Sequence, residues 1–209
     1  MIVLVRHGQT AANAGARLQG RSDLPLSELG IAQSTELASA LASCGATRVV
    51  SSPLERARAT AAPIAAALGA EVEIEEDLIE LDYGEWDGRA LTDVTPHDWA
   101  SWRADPNFAP PGGESLAAVR ARVERWLRRE LAGLEDVVAV SHVSPIKAAV
   151  CAALGVDDNA GWRMFLDVAS VSRLALRQGA VVLASFNETP AAHVRVPHWA
   201  DGSGERPEA

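Results

Sequence analysis

Arg6-His7-Gly8 stands directly after the apolar run Ile2-Val3-Leu4-Val5. A short apolar run of this kind reads as a buried strand, and ligands of open α/β sheets gather at the carboxyl ends of the strands. An arginine and a histidine are therefore delivered together to one strand end. Two later segments repeat the pattern: Arg48-Val49-Val50-Ser51-Ser52 ahead of Arg56, and Asp136-Val137-Val138-Ala139-Val140-Ser141 ahead of His142. Ser52-Pro53-Leu54-Glu55 carries helix-start residues at the cap, N1 and N3. That puts Arg56 in a helix's first turn, where N–H groups and the dipole favour an anion. Arginine clamps phosphate or carboxylate through paired N–H bonds. Histidine can act as a nucleophile, and neighbouring cations keep its ring neutral by disfavouring the imidazolium. Two arginines and two histidines at strand ends describe a phosphate pocket with a nucleophilic imidazole. Phosphoryl transfer also needs a proton donor for the leaving oxygen. Glu80, in the loop after the strand at residues 71–74, is the candidate; a bound phosphate's negative charge favours a protonated carboxyl beside it.

Composition narrows the partners. The chain has 209 residues, a net charge of −9 and 48% apolar residues, which suits one well-cored soluble domain. The acidic balance argues against nucleic acid, because phosphate backbones need a basic face. It also means that an anionic substrate needs a local concentration of positive charge. No apolar stretch is long enough for a membrane. Met1 leads straight into the first strand without a signal core, so a cytoplasmic protein is expected. Cys44 and Cys151 lie far apart in alanine-rich surroundings and read as reduced core thiols.

The elements that must position these residues alternate strand and helix. A loop at residues 10–25 leads to a helix capped by Ser27, with Leu26 and Ile31 placed as a hydrophobic staple, Leu37 and Leu41 on the core face, and Gly45 ending it. The helix of Arg56 runs to Leu68. Residues 78–86 have no clean period and read as an extended loop. Residues 91–104 suit a short helix bearing Trp99 and Trp102. Gly112-Gly113 suits a turn into a strongly amphipathic helix with Leu116, Val119, Val123, Leu127 and Leu131 on one stripe. Pro145 opens a helix to Leu154, and residues 171–176 and 181–185 make a hairpin turning at Gln178-Gly179. Alternation of this kind predicts an α/β fold with a mostly parallel sheet. Residues 1–188 form one domain, and residues 189–209 a loosely held tail in which His193 and His198 receive no role.

Leu4-Val5-Arg6-His7-Gly8-Gln9-Thr10 with Asn13 resembles the signature of the histidine phosphatase superfamily, the phosphoglycerate-mutase-like fold. The resemblance continues in order through Gln19-Gly20 with Asp23-Leu24-Pro25-Leu26-Ser27, Ser51-Ser52-Pro53-Leu54-Glu55-Arg56-Ala57, Glu80 with Tyr83-Gly84, Gly112-Gly113-Glu114-Ser115, and Ser141-His142. The ordered set is specific where each block alone is not. It implies a three-layer α/β/α sandwich. It implies that His7 attacks phosphorus and becomes a phosphohistidine, while Arg6, Arg56 and His142 hold the phosphoryl oxygens. Asn13 would add a phosphate hydrogen bond; Gln19 suits either that or a turn. Glu80 would protonate the leaving alcohol and then activate water. No metal or cofactor is implied. One position departs: Val143 follows the second histidine where the family usually has glycine, as in some alpha-ribazole-phosphatase-like members. A pocket that only glycine's backbone fits would be distorted there.

The implied function is a metal-independent phosphomonoesterase acting on a small phosphorylated metabolite, as a monomer or homodimer. The alternatives are a phosphoglycerate mutase using the same His7, and a phosphate-binding module without chemistry. Family mutases carry Arg-His-Tyr-Gly after the acid glutamate. Here Leu81-Asp82-Tyr83-Gly84 replaces the cations, and an aspartate facing the substrate would repel a carboxylate. Residues 96–111 also lack a basic insert. A module without chemistry is expected to lose the nucleophile or the acid, and both are present. Glu76, Asp77, Asp82 and Glu85 crowd Glu80 without metal-ligand spacing. Lys147 and Arg21 read as solvated charges within reach of a polar substrate. Trp99 or Trp102 could wall a pocket.

Overall fold

The computed structural model describes residues 1–133 and 135–190; the expected tail lies outside them beyond residue 190. Six strands, β1 (Ile2–Arg6), β2 (Arg48–Ser51), β3 (Val72–Ile74), β4 (Val137–Ser141), β5 (Val171–Arg177) and β6 (Ala180–Glu188), form one sheet in the order β3-β2-β4-β1-β5-β6. The first four in that order are parallel, and β5 and β6 are antiparallel additions. The helices are α1 (Ala11–Ala14), α2 (Glu28–Leu41), α3 (Glu55–Leu68), α4 (Pro96–Ala104), α5 (Leu116–Ala132) and α6 (Val143–Leu154).

Successive strand side chains point to opposite faces. Val3, Val5, Val49, Val138 and Val140 pack with Leu37 and Leu41 of α2 and Ala57, Ala61 and Ile64 of α3. Ile2, Leu4, Val50, Val137 and Ala139 pack with Val119, Val123 and Trp126 of α5 and Ile146 and Val150 of α6. Helices cover both faces, so the result is the three-layer sandwich, and the inner strands read as unbroken apolar runs for that reason. Cys151 is buried and Cys44 only partly so; neither is in a disulfide. Among the described residues no helix is long and apolar enough to cross a membrane.

Register aligns the strand ends. Arg6 pairs with Ser141, and Ser51 with Val140. The following residues, His7, His142 and Ser52, therefore leave three adjacent strands side by side. His7 N–H donates to Ser141 O and Ser52 N–H to Val140 O, each at 3.0 Å.

Several local expectations need correction. α3 begins at Glu55 with Leu54 at its cap, so Ser52 does not cap it, although Arg56 remains in the first turn. α6 begins at Val143 with His142 at the cap; Pro145 is its third residue, where a missing N–H leaves no helical bond unmade. α2 ends at Leu41, short of Gly45. Residues 91–104 divide into a 3-10 turn at Leu91–Asp93 and α4. The hairpin turn does form at Gln178-Gly179, where both φ angles are positive, 51° and 81°.

The exit from β1 crosses the start of α2 at backbone contact. A Cβ on Gly30 would lie 2.1 Å from Gln9 O, and one on Gly8 2.6 Å from Gly30 O. Gly30→Ala is expected to cost about 1–3 kcal/mol through overpacking against unyielding backbone. Gly45→Ala, with open space but a φ of 81°, should cost about 1 kcal/mol from conformational strain. Urea unfolding midpoints of the two variants check the ranking; equal midpoints would contradict the close crossing.

Candidate active site

His7 is 3% exposed at the end of β1. Its Nδ1 lies 2.7 Å from the carbonyl oxygen of Gly8. A carbonyl only accepts, so Nδ1 carries the proton and Nε2 keeps its lone pair. Burial, then the cations Arg6 and Arg56, hold the ring's pKa well below its usual 6.5. His142 is fully buried at the end of β4, its ring centroid 5.0 Å from that of His7. Burial, His7 and both arginines depress its pKa as well. Its Nε2 meets Ser52 Oγ at 2.7 Å. Ser52 is therefore the partner of His142 rather than a helix cap, a role that its strand-end position in the sequence could have suggested.

The two arginines are held by backbone oxygen. Arg6 Nη1 donates to Leu166 O at 2.6 Å. Arg56, 0% exposed, donates from Nη1 to Ser22 O at 2.9 Å and from Nη2 to Gly20 O at 2.7 Å. Burial lowers the pKa of both, opposed first by Glu80 in each case. Arg6 Nε, Arg56 Nε, His142 Nδ1 and Gln19 Nε2 are buried without a partner among the described residues, as are the indole nitrogens of Trp102 and Trp162 on the wall of the adjoining cavity. A buried polar group left unpaired costs about 1–3 kcal/mol, so this cluster is the place for a ligand rich in acceptors.

Arg6, His7, Asn13, Gln19 and Glu80 line one cavity of about 470 Å³. Arg56 and His142 lie behind it, wholly buried. Asn13 Oδ1 accepts from Thr10 N–H at 3.0 Å as part of a capping box on α1, so its amide nitrogen is what it can offer the cavity. Gln19 Oε1 accepts from Thr10 Oγ1 at 2.6 Å, which orients its unpaired Nε2. Both turn bonding and ligand contact are thus open to these two side chains. Glu80 is 4% exposed; its Oε1 accepts from Leu81 N–H at 2.7 Å and Ser144 N–H at 3.3 Å. Sequence reasoning missed Tyr83, which lines the cavity and hydrogen-bonds Ser144. Its burial pushes the phenol's pKa up, so it stays neutral.

Much of the rest of the cavity wall is aromatic and apolar: Trp99 and Trp102 stacked at 5.5 Å, Trp162 edge-on to both, Leu116, Met164 and Phe165; Arg17, Asp158 and Asp167 also line it. Lys147 lines it too, although the sequence suggested a solvated charge. Arg21 lies outside it, paired with Asp82 and Glu114. Asp82 also accepts from Gly84 N–H at 2.8 Å and does not line the cavity, so the expected repulsion of a substrate carboxylate by Asp82 does not arise. Leu81 is in the core. Val143 lies outside the left-handed region and is the first residue of α6, so replacing glycine has not distorted the backbone. Gly113 packs on the Glu80 loop: a Cβ there would be 2.4 Å from Asp82 O. Of the acidic residues near Glu80, Asp77 is paired to Arg125 and Arg129, and Asp82 to Arg21. Among the described residues no group of three or more His, Cys, Asp or Glu could hold a metal ion.

Residues 2–189 match the histidine phosphatase superfamily (branch 1). A bifunctional protein of Mycobacterium tuberculosis is 40% identical over 177 residues, covering 82% of this chain and 49% of that protein; this chain spans about half the length of that relative. Phosphoserine phosphatase 1 of Hydrogenobacter thermophilus is 38% identical over 194 residues, covering 90% of this chain and 92% of its own length. The structure of mycobacterial glucosyl-3-phosphoglycerate phosphatase with VO3 superposes with a TM-score of 0.83 at 30% identity, covering 90% and 99% of the two chains. The strand-end arginines and histidines thus stand in a chain that belongs to the histidine phosphatase superfamily.

Proposed function

We propose that the chain is a metal-independent phosphomonoesterase that cleaves a small phosphorylated metabolite through a phosphohistidine on His7. The observation that carries this reading is the cluster of unpaired buried nitrogens on Arg6, Arg56, His142 and Gln19 beside a neutral imidazole. A phosphoryl group has the acceptor oxygens that such a cluster lacks. The names of the relatives, phosphoserine phosphatase and glucosyl-3-phosphoglycerate phosphatase, support monoester hydrolysis while differing in the alcohol released.

His7 Nε2 attacks phosphorus opposite the ester oxygen. The N–P bond forms as the P–O bond breaks, and the bonding pair leaves with the alcohol oxygen. Nδ1–H on Gly8 O keeps the ring in the attacking tautomer. Arg6 and Arg56 neutralise the charge spread over the equatorial oxygens. When the Ser52 hydroxyl donates to His142 Nε2, the proton of that neutral ring sits on Nδ1, which has no partner among the described residues and is available to the same oxygens. Asn13 and Gln19 add amide N–H groups. Glu80 gives its proton to the departing oxygen, then takes one from water as that water attacks the phosphohistidine. Inorganic phosphate leaves and His7 is restored. A mutase would share the first half of this sequence. It finds less support here, because the residue after Glu80 is the core side chain Leu81 and Asp82 faces Arg21.

His7→Ala is expected to reduce phosphate release from an aryl phosphate, without added metal, by about 1,000-fold or more while retaining the far-UV spectrum. Full residual activity would end the phosphohistidine mechanism. Net conversion of 3- to 2-phosphoglycerate outpacing phosphate release would replace hydrolase by mutase.

Glu80→Gln should slow an alkyl phosphate at least about tenfold more than an aryl phosphate, since only the poor leaving group depends on protonation. Equal slowing of the two would remove Glu80 from the acid role.

Stability should also depend on pH in a defined direction. His7 and His142 are held below 6.5 in the folded chain, so on acidification the unfolded chain binds protons first. The stabilisation is present above about pH 6.5 and is lost as pH falls toward the folded values. The urea midpoint should drop between about pH 7.5 and 5.5, with a shallower slope in His142→Gln. A flat midpoint in the parent chain would contradict the neutral buried rings.

A further inference from the structure

Val143, Ser144, Lys147 and Ala148 line the cavity from one face of α6. Reading along that face, His142 at the cap stands by the nucleophile, Ser144 N–H holds Glu80, and Lys147 comes three residues later. Three residues advance a helix by about 4.5 Å, so Lys147 lies almost one turn beyond the residue that holds Glu80, the group that would protonate the leaving oxygen. Its stem is packed: a Cβ on Gly161 would rest 3.6 Å from Lys147 Cβ. Its ammonium has no hydrogen bond or ion pair among the described residues. The other charged groups of the wall are committed. Arg6 and Arg17 donate to the carbonyls of Leu166 and Gly88. Asp158 is paired with Arg120, and Asp167 Oδ1 accepts from Val168 N–H. Burial, then Arg6, pulls the ammonium down to about 8, which leaves it mostly protonated at neutral pH. Glu80 acts on it through space without a bridge, and a partly buried cation without a direct anionic partner, facing a cavity, invites an anionic ligand group.

We propose that Lys147 determines specificity by binding a carboxylate on the leaving alcohol, so that the preferred substrates are phosphomonoesters of hydroxy acids. This rests on the phosphatase reading above. The step from Ser144 to Lys147 puts the carboxylate a few bonds from the ester oxygen. Trp99 and Trp162 offer apolar faces to whatever else the alcohol carries.

The test uses pairs that differ only in the acid group: 3-phosphoglycerate against glycerol 3-phosphate, and phosphoserine against phosphoethanolamine. The parent chain should prefer the acid in each pair by roughly tenfold or more in kcat/KM. Lys147→Met should erase most of that preference, chiefly by raising KM for the acids, and Lys147→Arg should keep most of it. Equal turnover of both members by the parent chain, or an equal loss on both in Lys147→Met, overturns the assignment. Aryl phosphate hydrolysis by the same preparation separates the two proposals. If it proceeds without acid preference, only the role of Lys147 falls; if it is absent, the phosphatase reading and this inference fall together.

Discussion

Two guanidinium groups, Arg56 buried and Arg6 half-buried, stand beside an imidazole without a direct ion pair among the described residues, and the arrangement of the site follows from that. Neither Arg6 nor Arg56 makes a direct salt bridge among the described residues; their terminal nitrogens donate to the carbonyls of Leu166, Ser22 and Gly20. A carbonyl satisfies a donor but carries no charge, so the positive field survives in a desolvated place. A carboxylate in direct contact would stabilise each arginine and cancel the field at His7. The carboxylates that do act on them, Glu80 and Asp167 on Arg6, and Glu80, Asp23 and Asp87 on Arg56, do so without a direct bridge. The same field, together with burial, keeps both histidines unprotonated.

Such a site requires that the carbonyls stay where they are. Asp87 fixes the loop beneath Arg56 by accepting from Gly20 N–H, Ser22 N–H and Ser22 Oγ–H at 2.9–3.0 Å. Asp23 ties that loop to Glu55 N–H at the start of α3. The Glu80 loop is held by backbone contact with Gly113, by the bond from Glu114 N–H to Asp82 O, and by Arg122, whose Nη1 donates to Asp77 O at 2.7 Å while it grips Glu114. These are short-range, directional constraints on backbone. They order the site before a ligand arrives, which is where electrostatic catalysis gains most.

The meeting of Arg6, His7 and His142, the proposed phosphate end, was legible in the sequence because strand ends and parallel register fix it. Once β1 and β4 pair Arg6 with Ser141, His7 and His142 must be neighbours. The apolar runs that announce these strands are the same ones buried on both faces of the sheet. The leaving-group end was much less legible. Whether Asp82 faces the substrate depends on Arg21, sixty-one positions earlier in the chain, and whether Lys147 is solvated depends on what Gly161 and the aromatic cluster place around it. Ser52 carries every local sign of a helix cap, yet its hydroxyl is taken by a ring on another strand. In each case a tertiary partner outweighs local propensity.

The net charge of −9 bears on how such a pocket meets an anionic substrate. At physiological salt, exposed charges are screened over about 8 Å, and Glu75, Asp77 and Glu114 are already paired with arginines on α5. The acidic exterior therefore acts mainly on the rate of approach, which long-range field governs. The cavity wall carries the cations Arg6, Arg17 and Lys147 beside Glu80, Asp158 and Asp167, with Arg56 buried behind it, and desolvation there weakens screening. A protein can thus be acidic overall and still hold a multiply charged ester, provided that its cations lie within direct contact of the ligand and its acids are committed elsewhere.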